Sequence, residues 1–281
     1  MESDAFQVLR QIPGAGTVTL DGDDQGDGPP LLLLHGLSAT RRNVVQGSRH
    51  LPRHAYRLIA YDARGHGESS PAPQPADYEY EDLVEDAEAV LARFDLERVV
   101  LVGSSMGAAT AMAFALEHPE RVAAMVQVTP AYTGQARTSD VAEETWLRMA
   151  DALENGGVEG FVEEAMPKDI PAGWRDSTRL AIRQRMERHR HPEAVAAALR
   201  VVPRSLAWRG MEPLEELDVP TLVVGSRDAA DPLHPLEVAE EYVRRLPRAE
   251  LAVEDEGKSP LAWQGARLST VIEEFLRRVG I

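Results

Sequence analysis

Residues 103–107 read Gly-Ser-Ser-Met-Gly, a G-x-S-x-G pattern with Ser105 at its centre. A serine hydroxyl is a weak nucleophile until a neighbouring base takes its proton. What flanks the pattern decides how much weight it carries. The apolar run VVLVG precedes it and reads as a buried strand, and the Ala-rich run MGAATAMAFAL follows it and reads as a helix. A strand–sharp turn–helix lifts a serine clear of its sheet, and the strained turn needs small neighbours, which Gly103 and Gly107 supply. A plain glycine-rich connection is the bland alternative, and the strand-and-helix setting argues against it.

The elements that must position this serine can be read from periodicity. FQVLRQ and GTVTL alternate as strands do and lead into the polar stretch DGDDQGDGPP, which predicts an initial hairpin closed by a turn. Six short apolar runs follow, at 29–36, 56–67, 98–105, 123–130, 219–226 and 249–255. Continuous apolar runs bounded by turn residues predict strands buried on both faces, as in a parallel sheet. Helical patterns separate them at 78–95, 106–120, 234–246 and 264–280, so the class is α/β with a mainly parallel sheet. The alternation breaks between about 133 and 205, where the pattern is helical throughout. That segment predicts a helical insertion between the fourth and fifth parallel strands. The domain reading is a core of 1–132 plus 206–281 and an insertion of 133–205.

Composition narrows the function classes. The chain has 281 residues and a formal net charge of −16, which disfavours nucleic acid and anionic membrane partners. A small-molecule substrate or ligand is the partner expected, and the oligomeric state is open. No cysteine is present, so disulfides, thiolate catalysis and cysteine-bound metals are excluded. The opening MESDAFQVLR has no apolar leader, and no apolar run is long enough for a membrane helix; a cytoplasmic location is the default expectation. The sequence indicates neither a cofactor nor a metal site.

At this point the chain resembles the α/β-hydrolase fold family, in its capped, esterase- or lactonase-like form. The residues that carry the resemblance are the GSSMG elbow, His35-Gly36, the D-x-R-G-H-G-x-S signature (Asp62, Arg64, Gly65, His66, Gly67, Ser69) and GSRDAADP at 225–232. The resemblance implies that Ser105 is the nucleophile and that the backbone N–H groups of Leu37 and Met106 form an oxyanion hole. It implies that Asp228 is the acid; Asp231 is the local alternative, and its neighbour Pro232 suggests a turn or cap role instead. It also implies that 133–205 is a cap that sets substrate choice and gates access. Trp146, Phe161, Met166 and Trp174 are candidates to line its pocket, with packing inside the cap an equal alternative. A serine at 105 argues against the dehalogenase branch, which carries aspartate there.

The resemblance fails at the base. The family's G-H-S-P segment reads Gly257-Lys258-Ser259-Pro260, and only Lys168 and Lys258 among the thirty basic residues are lysine. Of the eight histidines, His35 and His66 read as structural, His118 as a helix end, and His50 and His54 as part of the first helical region. His189 and His191 read as solvated on an Arg-rich helix, and His234 as the start of a helix. None stands at the expected triad position. A lysine has an ordinary pKa of about 10.4, and a neighbouring carboxylate raises it, so Lys258 beside Asp228 is expected to stay protonated and unable to accept the serine proton.

Three readings stay open. The protein has lost standard triad chemistry and binds a ligand or catalyses a lyase-type reaction. Or Lys258 acts as an unusual base. Or another group does, such as water or a histidine delivered by the cap. The function expected is a serine esterase or acyl hydrolase for a small ester-like substrate, with an atypical Ser105–Asp228–Lys258 triad.

Overall fold

A computed structural model describes residues 3–136, 140–168, 170–228, 231–256 and 263–281. It contains an eight-stranded sheet in the order β1-β2-β4-β3-β5-β6-β7-β8. The strands are β1 (Asp4–Ile12), β2 (Gly16–Gln25), β3 (Pro30–Leu34), β4 (Arg57–Tyr61), β5 (Val99–Ser104), β6 (Val122–Val128), β7 (Thr221–Gly225) and β8 (Ala249–Val253). β1 and β2 are antiparallel, β2 joins β4 antiparallel, and all other pairs are parallel. The α/β class and mainly parallel sheet read from the pattern are what the chain adopts.

The leucine run of β3 shows why these strands are mainly apolar. Leu32 and Leu34 join the core cluster on one face of the sheet, and Leu31 and Leu33 join the cluster on the other. Successive side chains of a strand point to opposite faces, so a strand covered on both sides is apolar nearly throughout, with Gln127 on β6 a buried exception. On the first face lie α2 (Tyr80–Arg93), α3 (Met106–Glu117) and α7 (Leu236–Arg245); on the second lie α1 (His50–Arg53) and α8 (Gly265–Arg278).

One expectation at the start of the chain is corrected. The acidic stretch after GTVTL is not a turn, because β2 continues through Asp21, Asp23 and Asp24 to Gln25. Pairing with β4 holds it extended, and arginines neutralise its charges: Arg41 donates to Asp23 at 2.6 Å, and Arg57 makes two hydrogen bonds to Asp24 at 2.9 and 2.7 Å.

Between β6 and β7 the described residues form α4 (Asp140–Ala165), α5 (Ala172–Met186) and α6 (Pro192–Val201), with no strand among them. α4 is broken at Gly157, whose φ of 60° is a conformation that glycine adopts without a Cβ clash. These helices bury their own cluster, including Leu153, Phe161, Val162, Met186, Val195 and Leu199. Phe161 therefore packs inside the insertion, as the self-packing alternative had it.

Candidate active site

The elbow takes the shape its residues demand. β5 ends at Ser104, α3 begins at Met106, and Ser105 between them has φ 53° and ψ −110°. That backbone is strained for any residue with a Cβ and persists only where its surroundings enforce it. The enforcement is visible in the glycines. A Cβ on Gly103 would lie 2.2 Å from the Gly107 carbonyl oxygen, and one on Gly107 would lie 2.1 Å from that of Leu34. The Ser105 N–H donates to the Val128 carbonyl at 3.1 Å, which ties the elbow to β6.

The Ser105 Oγ lies 2.7 Å from His234 Nε2, and His234 Nδ1 lies 2.7 Å from Asp231 Oδ1. With Nδ1–H donating to the carboxylate, the Nε2 lone pair faces the serine hydroxyl. Hydroxyl, imidazole and carboxylate thus stand in the order that activates a nucleophile. The sequence puts no histidine at the expected triad position and leaves open one delivered by the cap; the histidine beside Ser105 is His234, which comes from the loop after β7. His234 was expected to open a helix, but α7 starts two residues later, with Pro235 at its N-cap, and His234 stays in the loop. Asp231 is the local alternative for the acid that Pro232 points toward a turn or cap role, and its carboxylate holds the imidazole.

Burial on its own would raise the Asp231 carboxyl. The charge and hydrogen bond of His234, the Arg185 guanidinium and the Leu233 N–H together hold it below the usual carboxylate range. It is ionised and suited to orient His234.

The loop carrying these groups is clamped from β8. Glu254, buried just past that strand, accepts from the Ser226 hydroxyl at 2.8 Å and from the Arg227 N–H at 2.7 Å. Asp228 follows; its N–H donates to Ser226 Oγ at 3.1 Å, and its carbonyl accepts from the Asp231 N–H at 3.0 Å. Its backbone thus shapes the turn that presents Asp231, and the carboxylate on His234 is that of Asp231. Lys258, with the whole Gly257–Pro260 stretch, lies outside the described residues, so its expected pairing with Asp228 does too.

Leu37 and Met106 line the same pocket as Ser105 and His234. Met106 opens a helix, where the first N–H groups have no partner within the helix. The Gly36 backbone runs close to Ser105: a Cβ there would meet the Ser105 Cβ at 3.2 Å. The remaining wall is apolar and aromatic, with Tyr132, Trp146, Val202 and Leu233, and the cavity measures about 40 Å³. Trp146 on α4 and Val202 beyond α6 bring the helical insertion to the Ser105 pocket. Of the four apolar residues proposed from sequence, only Trp146 is among those lining this pocket.

The D-x-R-G-H-G-x-S residues are held by buried hydrogen bonds. Arg64, fully buried, makes two 2.7 Å hydrogen bonds to Asp86. Asp62 accepts the Arg41 and Glu68 N–H groups at 2.7 and 3.0 Å, and Ser69 donates to the Asp62 carbonyl at 2.6 Å. His35 accepts the Ala63 N–H at 2.8 Å and bonds the Gly36 carbonyl at 2.8 Å, which agrees with its structural reading. His189 departs from its reading as solvated. It is buried, accepts the Gly67 N–H at 2.9 Å and donates to the Ser38 carbonyl at 3.1 Å, and so pins the insertion onto the site's loops. Burial drives His35, His66 and His189 down to about 4, 3 and 4, so all three are neutral near pH 7.

A family model described as alpha/beta hydrolase fold matches residues 29–180. The chain belongs to the α/β-hydrolase fold family. It is 26% identical over 276 residues to a putative non-heme chloroperoxidase of Synechocystis sp., covering 94% of this chain and 96% of that one. Among solved structures it is similar to a thermophilic esterase from Thermogutta terrifontis, at 27% identity and TM-score 0.79, covering 99% of this chain and all of the other. A bromoperoxidase from Bacillus anthracis shares the fold at 22% identity and TM-score 0.76, over 97% of this chain and 100% of that one. Among the described residues no helix is long and apolar enough to cross a membrane.

Proposed function

We propose that the protein is a serine hydrolase for small ester-like acyl substrates, with a Ser105–His234–Asp231 triad whose base comes from the loop after β7. The observation that carries the reading is the 2.7 Å approach of His234 Nε2 to the Ser105 Oγ, with Asp231 behind the imidazole. In the reaction, Ser105 Oγ attacks the acyl carbon and its proton passes to His234 Nε2. Asp231 holds the resulting imidazolium, and the N–H groups of Leu37 and Met106 receive the charge on the carbonyl oxygen. The tetrahedral adduct collapses as His234 gives its proton to the leaving alcohol. Water, deprotonated by His234, then releases the acid and restores Ser105.

The 40 Å³ apolar cavity supports short acyl chains, and residues 133–205 act as a cap whose Trp146 and Val202 limit chain length. The alternative of a non-catalytic ligand-binding protein drew its force from the missing base, and His234 removes that argument. The test is hydrolysis of p-nitrophenyl acetate and butyrate, with labelling by a fluorophosphonate. The native protein should turn over both esters and label at one site, and Ser105→Ala should do neither. Equal background rates for the two proteins would refute the enzyme reading.

A further inference from the structure

A second cluster of histidines lies on the other face of the sheet, away from Ser105. His50 and His54, four residues apart, bracket the single turn of α1, and this spacing puts both imidazoles on one side. Their ring centroids are 4.1 Å apart. Facing them from α8, more than two hundred residues later in the chain, is Glu273. Its carboxylate is buried, yet it meets His50 Nε2 at 2.5 Å through one oxygen and His54 Nδ1 at 2.7 Å through the other. All three ligand atoms lie within 4.8 Å of one another.

From this geometry we propose that His50, His54 and Glu273 bind a zinc ion that ties α1 to the C-terminal helix α8. Two imidazole nitrogens and a carboxylate oxygen are a donor set suited to zinc, with water completing a tetrahedron. Zinc bonds of roughly 2.0–2.1 Å set such donors roughly 3.3 Å apart, so small side-chain rotations admit the ion. The direct His–Glu hydrogen bonds open, and each imidazole turns a lone pair inward with its proton on the other nitrogen. Room exists on the solvent side, where a surface cavity of about 470 Å³ is lined by His50, His54, Arg49, Arg53 and Gln264.

The Glu273 carboxylate meets both imidazoles and also the Arg277 guanidinium. Arg277 is the internal competitor. It pairs with the same carboxylate from one turn further along α8, is 67% exposed, and is free to swing away when a dication arrives.

The test uses the full-length, untagged protein, stripped with a chelator and titrated with zinc chloride by calorimetry and by thermal melting. One zinc per chain should bind saturably and raise Tm, because a ligand specific to the folded state stabilises it. His54→Gln, on the exposed side, should keep the fold without zinc and raise the apparent Kd at least about tenfold. Glu273→Gln should abolish the zinc-dependent rise in Tm, and Arg277→Gln should tighten binding. His234→Gln should leave it unchanged, which separates this site from the triad. No saturable binding, binding undiminished in His54→Gln, or loss of binding in His234→Gln would overturn the proposal.

Discussion

At the scale of single residues, Ser105 was legible as a candidate nucleophile and the histidine beside it was not. Ser105 announces itself because the sharp turn restricts its neighbours to glycine, a local constraint that leaves a local mark. A general base needs only to arrive within hydrogen-bond reach, and many chain positions can deliver one. His234 lies 129 residues from Ser105, in a loop whose path depends on the end of β7, the Glu254 clamp and the start of α7. The one signal was a D-x-x-H spacing, Asp231 to His234, in a chain whose expected histidine is a lysine. Asp231→Asn should lower kcat by about 10⁴-fold with little change in KM, since the imidazole would lose its orientation and its counter-charge. Asp228→Asn should cost less, because the Asp228 backbone shapes the turn while the Asp231 carboxylate meets His234. Steady-state kinetics of the two variants decide this.

Elements were easier to read than contacts. Every parallel strand was visible as a short, mainly apolar run; the inner strands are covered on both faces, and the edge strand β8 is only partly buried and carries Glu250. The end of β2 was misread as a turn because its aspartates are neutralised by Arg41 and Arg57, partners far along the chain that no local pattern shows. The elbow makes a sharp prediction at this scale. Gly103→Ala and Gly107→Ala each place a methyl within about 2.2 Å of a backbone oxygen and should cost several kcal/mol, seen as insoluble or molten protein. His189 is the corresponding test for the insertion. Ala in its place leaves the Gly67 N–H and the Ser38 carbonyl without their partner, which should cost about 1–3 kcal/mol and loosen the helical insertion, read by hydrogen exchange of α5.

For the molecule as a whole, the buried histidines couple stability to pH. Each has a folded pKa well below the ordinary value of about 6.5, so above that pH both states are neutral and the groups add no pH dependence. Below it the unfolded chain binds protons that the folded chain refuses. Stability therefore falls as pH drops from about 6.5 toward 4, by up to about 1.4 kcal/mol per pH unit per histidine. Thermal melts across that window should show the decline, and His189→Gln should flatten it. A slope unchanged by that substitution would remove His189 as a contributor.

The central claim is that the base belongs to the loop after β7 and not to the Gly257–Pro260 segment, and it is tested most directly by comparing His234→Gln with Lys258→Met in p-nitrophenyl butyrate hydrolysis. The account predicts that His234→Gln lowers kcat by at least about 10³-fold while Lys258→Met stays near the native rate. A Lys258→Met enzyme that is dead beside an active His234→Gln enzyme would contradict it.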